Sequence, residues 1–241
     1  MNAKGSYGQF CPVALTSELL AERWTPLVIR ELIMGSRRFA DIQRGVPKMS
    51  PTMLTRRLRD LERAEVVLRR FSRDRKIEYH LTRAGRALTP IVMQFAAWGK
   101  EFARLRIRPG EVDPGLLIWE IRRFMDPTAL PATRSVILFR FPQASRQRQC
   151  WWMVAQEGEV ELCLQHPGLD VDLTVDADMA ELARLWRGDV SAEAAVRSGK
   201  IRLSGSSSLA RSFGRWIGMS PLVRARKIGP LPPPRLAASQ A

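Results

Sequence analysis

Hydrophobic positions recur at helical spacing through the first hundred residues, and the clearest example begins at Ser50. Leu54, Leu58 and Leu61 fall at i, i+4 and i+7, so they share one buried stripe. Ser50 suits the N-cap and Pro51 the first helical position, where its missing N–H is not needed. The opposite face is polar and carries Thr52, Thr55, Arg56 and Arg59. The pattern predicts an amphipathic helix whose polar face meets solvent or an acidic partner.

The residues before Ser50 predict three more helices. Leu15, Leu19 and Leu20 lie in an amphipathic segment, and residues 24–34 continue with a second apolar set that Gly35 ends. Residues 37–42 begin a short helix, which the residues 45–47 terminate. The helix at Ser50 follows after a tight connection, which is the helix-turn-helix arrangement: the second helix enters a major groove and the first braces it.

Residues 66–81 predict a β-hairpin. The run 66–71 is β-prone and the run 77–81 alternates with period two, as a half-buried strand does. Between them lies a charged turn with Arg73, Arg75 and Lys76, so the hairpin forms a basic wing.

Residues 82–85 lead into a longer helix, which is predicted to run through Trp98 and Phe102 to Leu105. Its apolar positions exceed what so small a domain buries alone: Leu88, Ile91, Val92, Phe95 and Phe102. We therefore expect this helix to pack against a second copy of the chain, as a homodimer.

The second half has a different pattern. Four Pro or Gly residues lie in the segment 108–115, which predicts a domain boundary. Strands are predicted at 135–141, 151–154, 160–164, 171–175 and 201–205, and helices at 115–124, 179–186, 192–196 and 209–216. Strands with flanking helices indicate an α+β domain. We expect a mainly-α winged-helix domain over 1–108, an α+β domain over 109–228 and a Pro-rich tail over 229–241.

Charge changes the picture more than composition does. The net charge of the 241 residues is +15, and residues 1–108 hold 22 Lys and Arg against 10 Asp and Glu. Residues 109–241 hold 17 against 14, so the positive field belongs to the first half. Such a field favours the phosphates of double-stranded DNA. A generic solvated basic surface is the alternative, and the helix at Ser50 argues against it.

Other classes of protein find less support. No run approaches the roughly 18 apolar residues of a membrane span. The N-terminus lacks the apolar core of a secretory signal, so we expect a cytoplasmic protein without membrane contact. No phosphate loop, nucleophile elbow or metal-ligand spacing occurs, and the three cysteines are an odd number without CxxC. We expect no enzyme, no cofactor and no metal.

The first half resembles the HxlR family of winged-helix transcriptional regulators over residues 10–107. The resemblance is carried by residues 11–13, 23–32, 35–42, 47, 50–58, 61–62, 79–82 and 85. It implies a dimeric DNA-binding regulator with the helix at Ser50 in the major groove. Two positions depart from the family: Lys48 and Glu65 stand where glycines are common, and the second puts the C-cap of the recognition helix in doubt.

From the pattern and the resemblance together we expect twelve DNA-contacting residues. They are Arg37, Arg38, Ser50, Pro51, Thr52, Thr55, Arg56, Arg57, Arg59, Arg73, Arg75 and Lys76. Arg57 lies nearer the apolar stripe, so it either braces the turn or binds a phosphate. The wing cations are expected to neutralise phosphates rather than read bases.

The second half carries a spaced series of residues at 152, 159–163, 167–168, 170–173, 182, 186–189, 194, 198–201 and 205. In this order the series is similar to sterol-carrier-type domains, most clearly over residues 150–217. The resemblance implies an apolar tunnel for a hydrophobic ligand, and fusion to a DNA-binding module implies a sensor of an apolar small-molecule effector. The candidate lining residues are Trp119, Phe139, Trp152, Leu162, Trp186 and Trp216. Large aromatics are more often plain core, which is the alternative for each tryptophan.

Three other functions stay open. Some relatives of the HxlR family respond to oxidants or electrophiles through a cysteine near the position of Cys11, so a redox switch is one alternative and an inert Cys11 its counterpart. A lipid carrier is the second. The third is a closed second domain that serves only assembly. The operator, the target genes and the direction of regulation do not follow from the sequence.

Overall fold

The computed structural model describes residues 6–102 and 112–224, in which two separate hydrophobic cores form. The first core belongs to six helices and a hairpin. The helices are α1 (Pro12–Leu20), α2 (Thr25–Ile33), α3 (Phe39–Gly45), α4 (Pro51–Arg63), α5 (Arg83–Ala87) and α6 (Thr89–Phe102). The hairpin pairs β1 (Val67–Phe71) with β2 (Ile77–Leu81) in antiparallel register. This is the winged helix-turn-helix that the sequence predicted.

Helix α4 forms as its pattern requires. The Ser50 side chain caps it by accepting from the backbone N–H of Met53 at 3.2 Å. Leu54, Leu58 and Leu61 are at most 1% exposed, so the predicted inward stripe is confirmed. Burial of three leucines contributes on the order of 2 kcal/mol each, which fixes the rotation of the helix about its axis.

The long helix predicted to follow residues 82–85 is preceded by a short separate one: α5 ends at Ala87 and α6 begins at Thr89. Its predicted end at Leu105 lies outside the described residues. Pro90 has no N–H to donate to the carbonyl of Arg86, and its ring conflicts with the preceding turn. The chain therefore breaks its helix at Leu88 and restarts it with proline in the first turn.

The second core lies between a sheet and five helices. The sheet has the order β5-β4-β3-β6-β7, antiparallel except for the β3–β6 pair. Its strands are β3 (Ser135–Arg140), β4 (Cys150–Gln156), β5 (Glu159–Cys163), β6 (Leu173–Ala177) and β7 (Ile201–Gly205). The helices are α7 (Pro114–Phe124), α8 (Met179–Trp186), α9 (Ala192–Arg197), α10 (Ser207–Arg211) and α11 (Phe213–Trp216). The predicted α+β class is confirmed.

The alternation of side chains along the strands decides which face of the sheet the helices cover. Ile137, Phe139, Met153 and Val175 point to one face and are fully buried with the helices. The closing helix was predicted as one element over 209–216, but it breaks at Ser212. The hydroxyl of Ser212 donates to backbone oxygens of the preceding turn and diverts the chain there.

Two predictions lie outside the described residues. The expected boundary at 108/109 falls in the segment 103–111, and the Pro-rich tail over 229–241 falls in the segment 225–241. Within the described ranges, no helix is both long and apolar enough to span a bilayer.

The C-terminus of α4 supplies a test of backbone strain. Glu65, which replaces the expected glycine, has φ 55°, and its N–H and that of Val66 close the helix onto Glu62 and Leu61. A left-handed conformation costs a side-chain-bearing residue about 1 kcal/mol. We expect Glu65→Gly to raise the free energy of unfolding by roughly 0.5–1 kcal/mol, measured by urea denaturation.

Arg59→Gly is the matched control, because Arg59 is an exposed residue inside α4, where glycine should destabilise by about 1 kcal/mol. A loss of stability in both variants would contradict the strain at Glu65.

Candidate nucleic-acid interface

The outer face of α4 is polar and open to solvent. Ser50, Pro51 and Thr52 are exposed at its start, and Thr55 donates its hydroxyl to the Pro51 carbonyl at 2.9 Å. The Arg56 side chain is 70% exposed and only touches Asp60, at 4.0 Å. Arg59 is exposed and has no ion-pair partner among the described residues. The face thus presents hydroxyls and two extended cations on a fixed helix.

Arg57 points the other way. Its residue is 9% exposed, and its guanidinium pairs with Glu22 and with Asp60, the latter at 3.1 Å. Its Nε also donates to the backbone oxygen of Arg23 at 3.3 Å. The sequence left two roles open for Arg57, and these contacts favour the structural one, in which Arg57 connects α4 to the turn before α2. We therefore do not count Arg57 among the DNA contacts.

The two arginines before α3 also differ in exposure and in the contacts that they make. Arg37 is half-buried and donates to the carbonyls of Leu32, at 2.7 Å, and Ser36, at 3.0 Å. Arg38 is exposed and pairs with Asp74 of the wing at 3.2 Å. Arg37 therefore holds the loop between α2 and α3, whereas Arg38 ties that loop to the tip of the hairpin.

The wing tip is a tight turn built around Asp74. The Ser72 hydroxyl, and then Lys76, hold the pKa of the Asp74 carboxyl below its usual value. Lys76 pairs with that carboxylate at 3.2 Å. Arg73 and Arg75 are exposed without ion-pair partners in the described part of the chain. The sequence analysis did not single out Asp74. Because Asp74 pairs with Lys76, two of the three wing cations, Arg73 and Arg75, have no ion pair among the described residues.

The structure does not bring the six candidate ligand residues together. Phe139 and Trp216 are fully buried and meet edge to face at 6.4 Å, in the core with Trp186 and Leu162. Trp152 points to the opposite face of the sheet, across from Leu138. Trp119 lies at the junction of the two units. A single lining formed by all six does not exist, because strand alternation and the placement of α7 separate them.

That junction is a site that the sequence analysis missed. Glu31 on α2 has no solvent exposure, and Arg123 on α7 reaches its Oε2 at 2.7 Å from the other unit. Arg123 also donates to the Ser36 hydroxyl at 3.0 Å, and Arg30 pairs with Oε1 of Glu31 at 2.7 Å. Two arginines from different units thus neutralise one buried carboxylate. We call this set the joint: Arg30, Glu31, Ser36 and Arg123.

The joint places α7 directly against α3, the bracing helix of the helix-turn-helix. A side chain at Gly45 would collide with the Glu31 carboxylate, so only glycine fits the end of α3. The Arg44 and Arg123 guanidinium carbons lie 5.1 and 5.3 Å from the Trp119 ring centroid. Burial raises the pKa of the neighbouring Glu120 carboxyl.

A broad apolar surface runs along α6. Phe95, Trp98 and Phe102 are each more than half exposed, and Ile91 is 38% exposed. Phe95 and Ile91 also line a cleft of about 460 Å³ with α1, which contributes the 72% exposed Val13. Val92, by contrast, is 6% exposed and packs in the domain's own core.

Cys11 occupies the N-cap of α1 and is exposed. Its thiol makes no capping hydrogen bond of ordinary geometry, but the N–H groups of Ala14 and then Val13 favour the thiolate and lower its pKa. Cys163 on β5 differs, because burial and then Glu161 raise its pKa. The sequence analysis left open whether Cys11 is reactive or inert. The exposure of Cys11 favours a reactive thiol.

The fold and this polar helix face define the winged helix-turn-helix class. Residues 19–106 match the family described as HxlR-like helix-turn-helix, and residues 131–217 match the SCP-2 sterol transfer family. The Bacillus subtilis regulator YdeP is 35% identical over 94 residues, which are 38% of this chain and 73% of YdeP. The chain belongs to the HxlR-like helix-turn-helix family of transcriptional regulators.

Two further relatives extend the comparison. The HTH-type transcriptional regulator YodB of Bacillus subtilis is 37% identical over 86 residues, which are 35% of this chain and 77% of YodB. Among solved structures, one titled as the redox regulator HypR in its reduced form is 34% identical. It covers 39% of this chain and 95% of its own, with a TM-score of 0.37.

The joint predicts a coupling in stability between the units. We expect Arg123→Ala to lower the free energy of unfolding by about 2–3 kcal/mol, because it leaves a buried carboxylate with one cation instead of two. Arg63→Ala is the control, since its ion pair is 77% exposed on the arginine side and is worth at most about 1 kcal/mol.

A double-mutant cycle checks the cause. Glu31→Gln should destabilise the Arg123→Ala variant far less than it destabilises the wild type, as measured by urea unfolding. Equal losses in both backgrounds would show that the two side chains are not coupled.

Proposed function

We propose that this protein is a sequence-specific DNA-binding transcriptional regulator that acts as a homodimer. The single observation that supports this most is α4: its leucines are buried, its N-terminus is capped, and its polar face is open. A helix with this presentation fits the major groove of B-DNA, which is about 12 Å wide. The basic wing beside it suits the flanking backbone.

The exposed residues divide into two kinds of contact. Arg56 and Arg59 project from a fixed helix, so they can hold the geometry that base reading needs. Arg73 and Arg75 lie on a short turn and supply charge to phosphates without a fixed pattern. Arg57 and Arg37 serve the scaffold.

We propose that the apolar surface of α6 and α1 forms the dimer interface. Large exposed aromatics such as Phe95 and Trp98 are unfavourable in water and are enriched where chains associate. A two-fold dimer would place two α4 helices about one DNA turn apart, roughly 34 Å, and so match a pseudo-palindromic site.

We propose that the second unit senses an apolar small-molecule effector. Its match to the SCP-2 sterol transfer family supports an apolar ligand. The joint supports a path from ligand binding to DNA binding. A ligand that moves α7 must disturb the Arg123–Glu31 pair next to α3. A ligand acts in this way only if it binds the two arrangements with different affinity. Phe139 and Trp216 are fully buried, so a ligand that contacts them has to enter the core of the domain.

A redox or electrophile switch at Cys11 is the second candidate. The observation that favours it is the exposed thiol at the N-terminus of α1, where backbone N–H groups lower its pKa. Because α1 borders the proposed dimer surface, a modified Cys11 would alter the spacing of the two α4 helices. A plain lipid carrier would instead bind apolar molecules and ignore DNA.

The DNA assignment is tested by operator affinity as a function of salt concentration, with a duplex selected from random sequence. We expect Arg56→Ala to lose roughly 1–3 kcal/mol of preference for the selected duplex over a scrambled one. Arg75→Ala should weaken both duplexes alike and flatten the salt dependence by about one unit of slope.

Arg63→Ala is the matched control on α4, because Arg63 lies 11 residues after Thr52 at the far end of the helix. It should leave the preference intact. Identical salt profiles for Arg56→Ala and Arg75→Ala would refute the division of roles.

The trigger is tested by adding diamide or the fluorescent sterol dehydroergosterol to the DNA titration. A redox switch requires that Cys11→Ser keeps DNA binding and loses the diamide response. An apolar effector requires a response to the sterol that survives Cys11→Ser. Cys163→Ser is the control for loss of a thiol elsewhere.

The thiol assignment also has a pH dependence. A lowered pKa leaves more thiolate at a given pH, so Cys11 should react with iodoacetamide at lower pH than Cys163, whose pKa is raised. Mass spectrometry of the alkylated peptides measures both. Earlier reaction of Cys163 as pH rises would argue against Cys11 as the reactive site.

A further inference from the structure

The loop between β3 and β4 lies beside the turn that precedes α4. Lys48 of that turn and Arg148 of the loop line one cleft of about 230 Å³, together with Asp113, Ala144 and Ser145. Lys48, Arg146 and Arg148 are all exposed. The cleft therefore joins basic side chains of the two units on one surface.

The position of Lys48 relates this surface to DNA. Lys48 stands two residues before the N-cap Ser50. When the N-terminal end of a recognition helix lies in the major groove, the turn before it adjoins the sugar–phosphate backbone. A loop that shares a cleft with Lys48 lies at the edge of the same footprint.

The loop is held in place by its own hydrogen bonds. The N–H of Phe141, a fully buried residue, donates to the Gln149 carbonyl at 2.8 Å, and the Gln149 side chain donates to the Ala144 carbonyl at 3.1 Å. The Trp151 indole N–H donates to the Arg148 carbonyl at 2.9 Å. The arginines are thus presented from a fixed backbone.

The charge of the loop is uniformly positive. Residues 142–149 contain Arg146 and Arg148 and no acidic residue. Asp113 is the acid in the lining of the cleft, and it already accepts from the N–H of Leu116 at 2.9 Å and pairs with Arg148 at 3.2 Å. Arg146 has no ion-pair partner within the residues described. A polyanion approaching α4 meets excess positive charge here.

We propose that Lys48, Arg146 and Arg148 form a second DNA-contact surface, which binds duplex phosphates next to the segment read by α4. The proposal rests on the proposed DNA binding of α4 and gives the second unit a direct place on the duplex. Phosphate contacts fix the position of a protein on DNA without reading sequence. A shift of the second unit would then change DNA affinity directly, and not only through the joint.

The test compares the full chain with R146Q/R148Q, and duplexes that extend about ten base pairs beyond the selected site with duplexes trimmed to it. On the long duplex we expect the variant to bind on the order of tenfold more weakly at low salt. Its salt slope should be shallower by about 2 units per protomer, from 0.9 per phosphate contact. The preference for the selected sequence and the affinity for the trimmed duplex should stay unchanged.

R134Q/R211Q is the matched control, because both arginines are exposed in the same unit and neither belongs to the loop between β3 and β4 or lines its cleft. Arg146→Gln alone removes no described contact and should lower the slope by about 0.9, so a folding defect cannot mimic the result.

The outcomes separate the two proposals. Arg56-dependent binding with R146Q/R148Q equal to R134Q/R211Q would overturn this surface and leave the function of α4 standing. Tighter binding by R146Q/R148Q would also overturn it, since the loop would then obstruct DNA. Absence of DNA binding by the wild type would overturn both.

Discussion

Glu31 carries a carboxylate with no exposure to solvent, and its charge has to be balanced inside the protein. An unpaired buried charge costs several kcal/mol, a large share of the stability of a domain. Here the balance comes from Arg30 on the same helix and Arg123 from the other unit, with the Ser36 hydroxyl completing the shell. Neither unit reaches its lowest free energy without the other, so the joint holds α7 on the helix-turn-helix.

This constraint bears on how the two units communicate. Helix α3 packs against α7, and Gly45 at its end leaves no room for a side chain beside Glu31. Packed interfaces of this kind have few intermediate positions, since a small displacement removes a 2.7 Å ion pair. Separation of α7 from α3 would therefore be a discrete change, which is what a two-state regulator requires. The cation–π contacts of Trp119 with Arg44 and Arg123 would be lost in the same step.

Local interactions made the first unit predictable from sequence. The N-cap Ser50 and the leucine spacing of α4 act within a few residues and appear as expected. Strand β2 forms at the predicted residues, although its burial does not alternate with period two. The joint was not predictable, because Glu31 and Arg123 are 92 residues apart and each reads as an ordinary charge on an amphipathic helix. The six candidate ligand residues lie apart for a related reason. Their aromatic character was visible, but the face of the sheet each one joins depends on register and strand order.

The net charge alone overstates how many cations of the first unit are free to contact DNA. Several cations of the first unit are already committed: Arg57 to Glu22 and Asp60, Arg38 and Lys76 to Asp74. Among the described residues, cations without an ion pair include Arg59 on the outer face of α4, Arg73 and Arg75 at the wing tip, and Lys48 before α4. A helix fixed by buried leucines supports directional hydrogen bonds, whereas a wing tip supports screened attraction that depends on salt. Ion pairs with Glu22, Asp60 and Asp74 therefore occupy part of the positive charge. Of the cations left, those on α4 suit the reading of bases and those at the wing tip suit contacts with the DNA backbone.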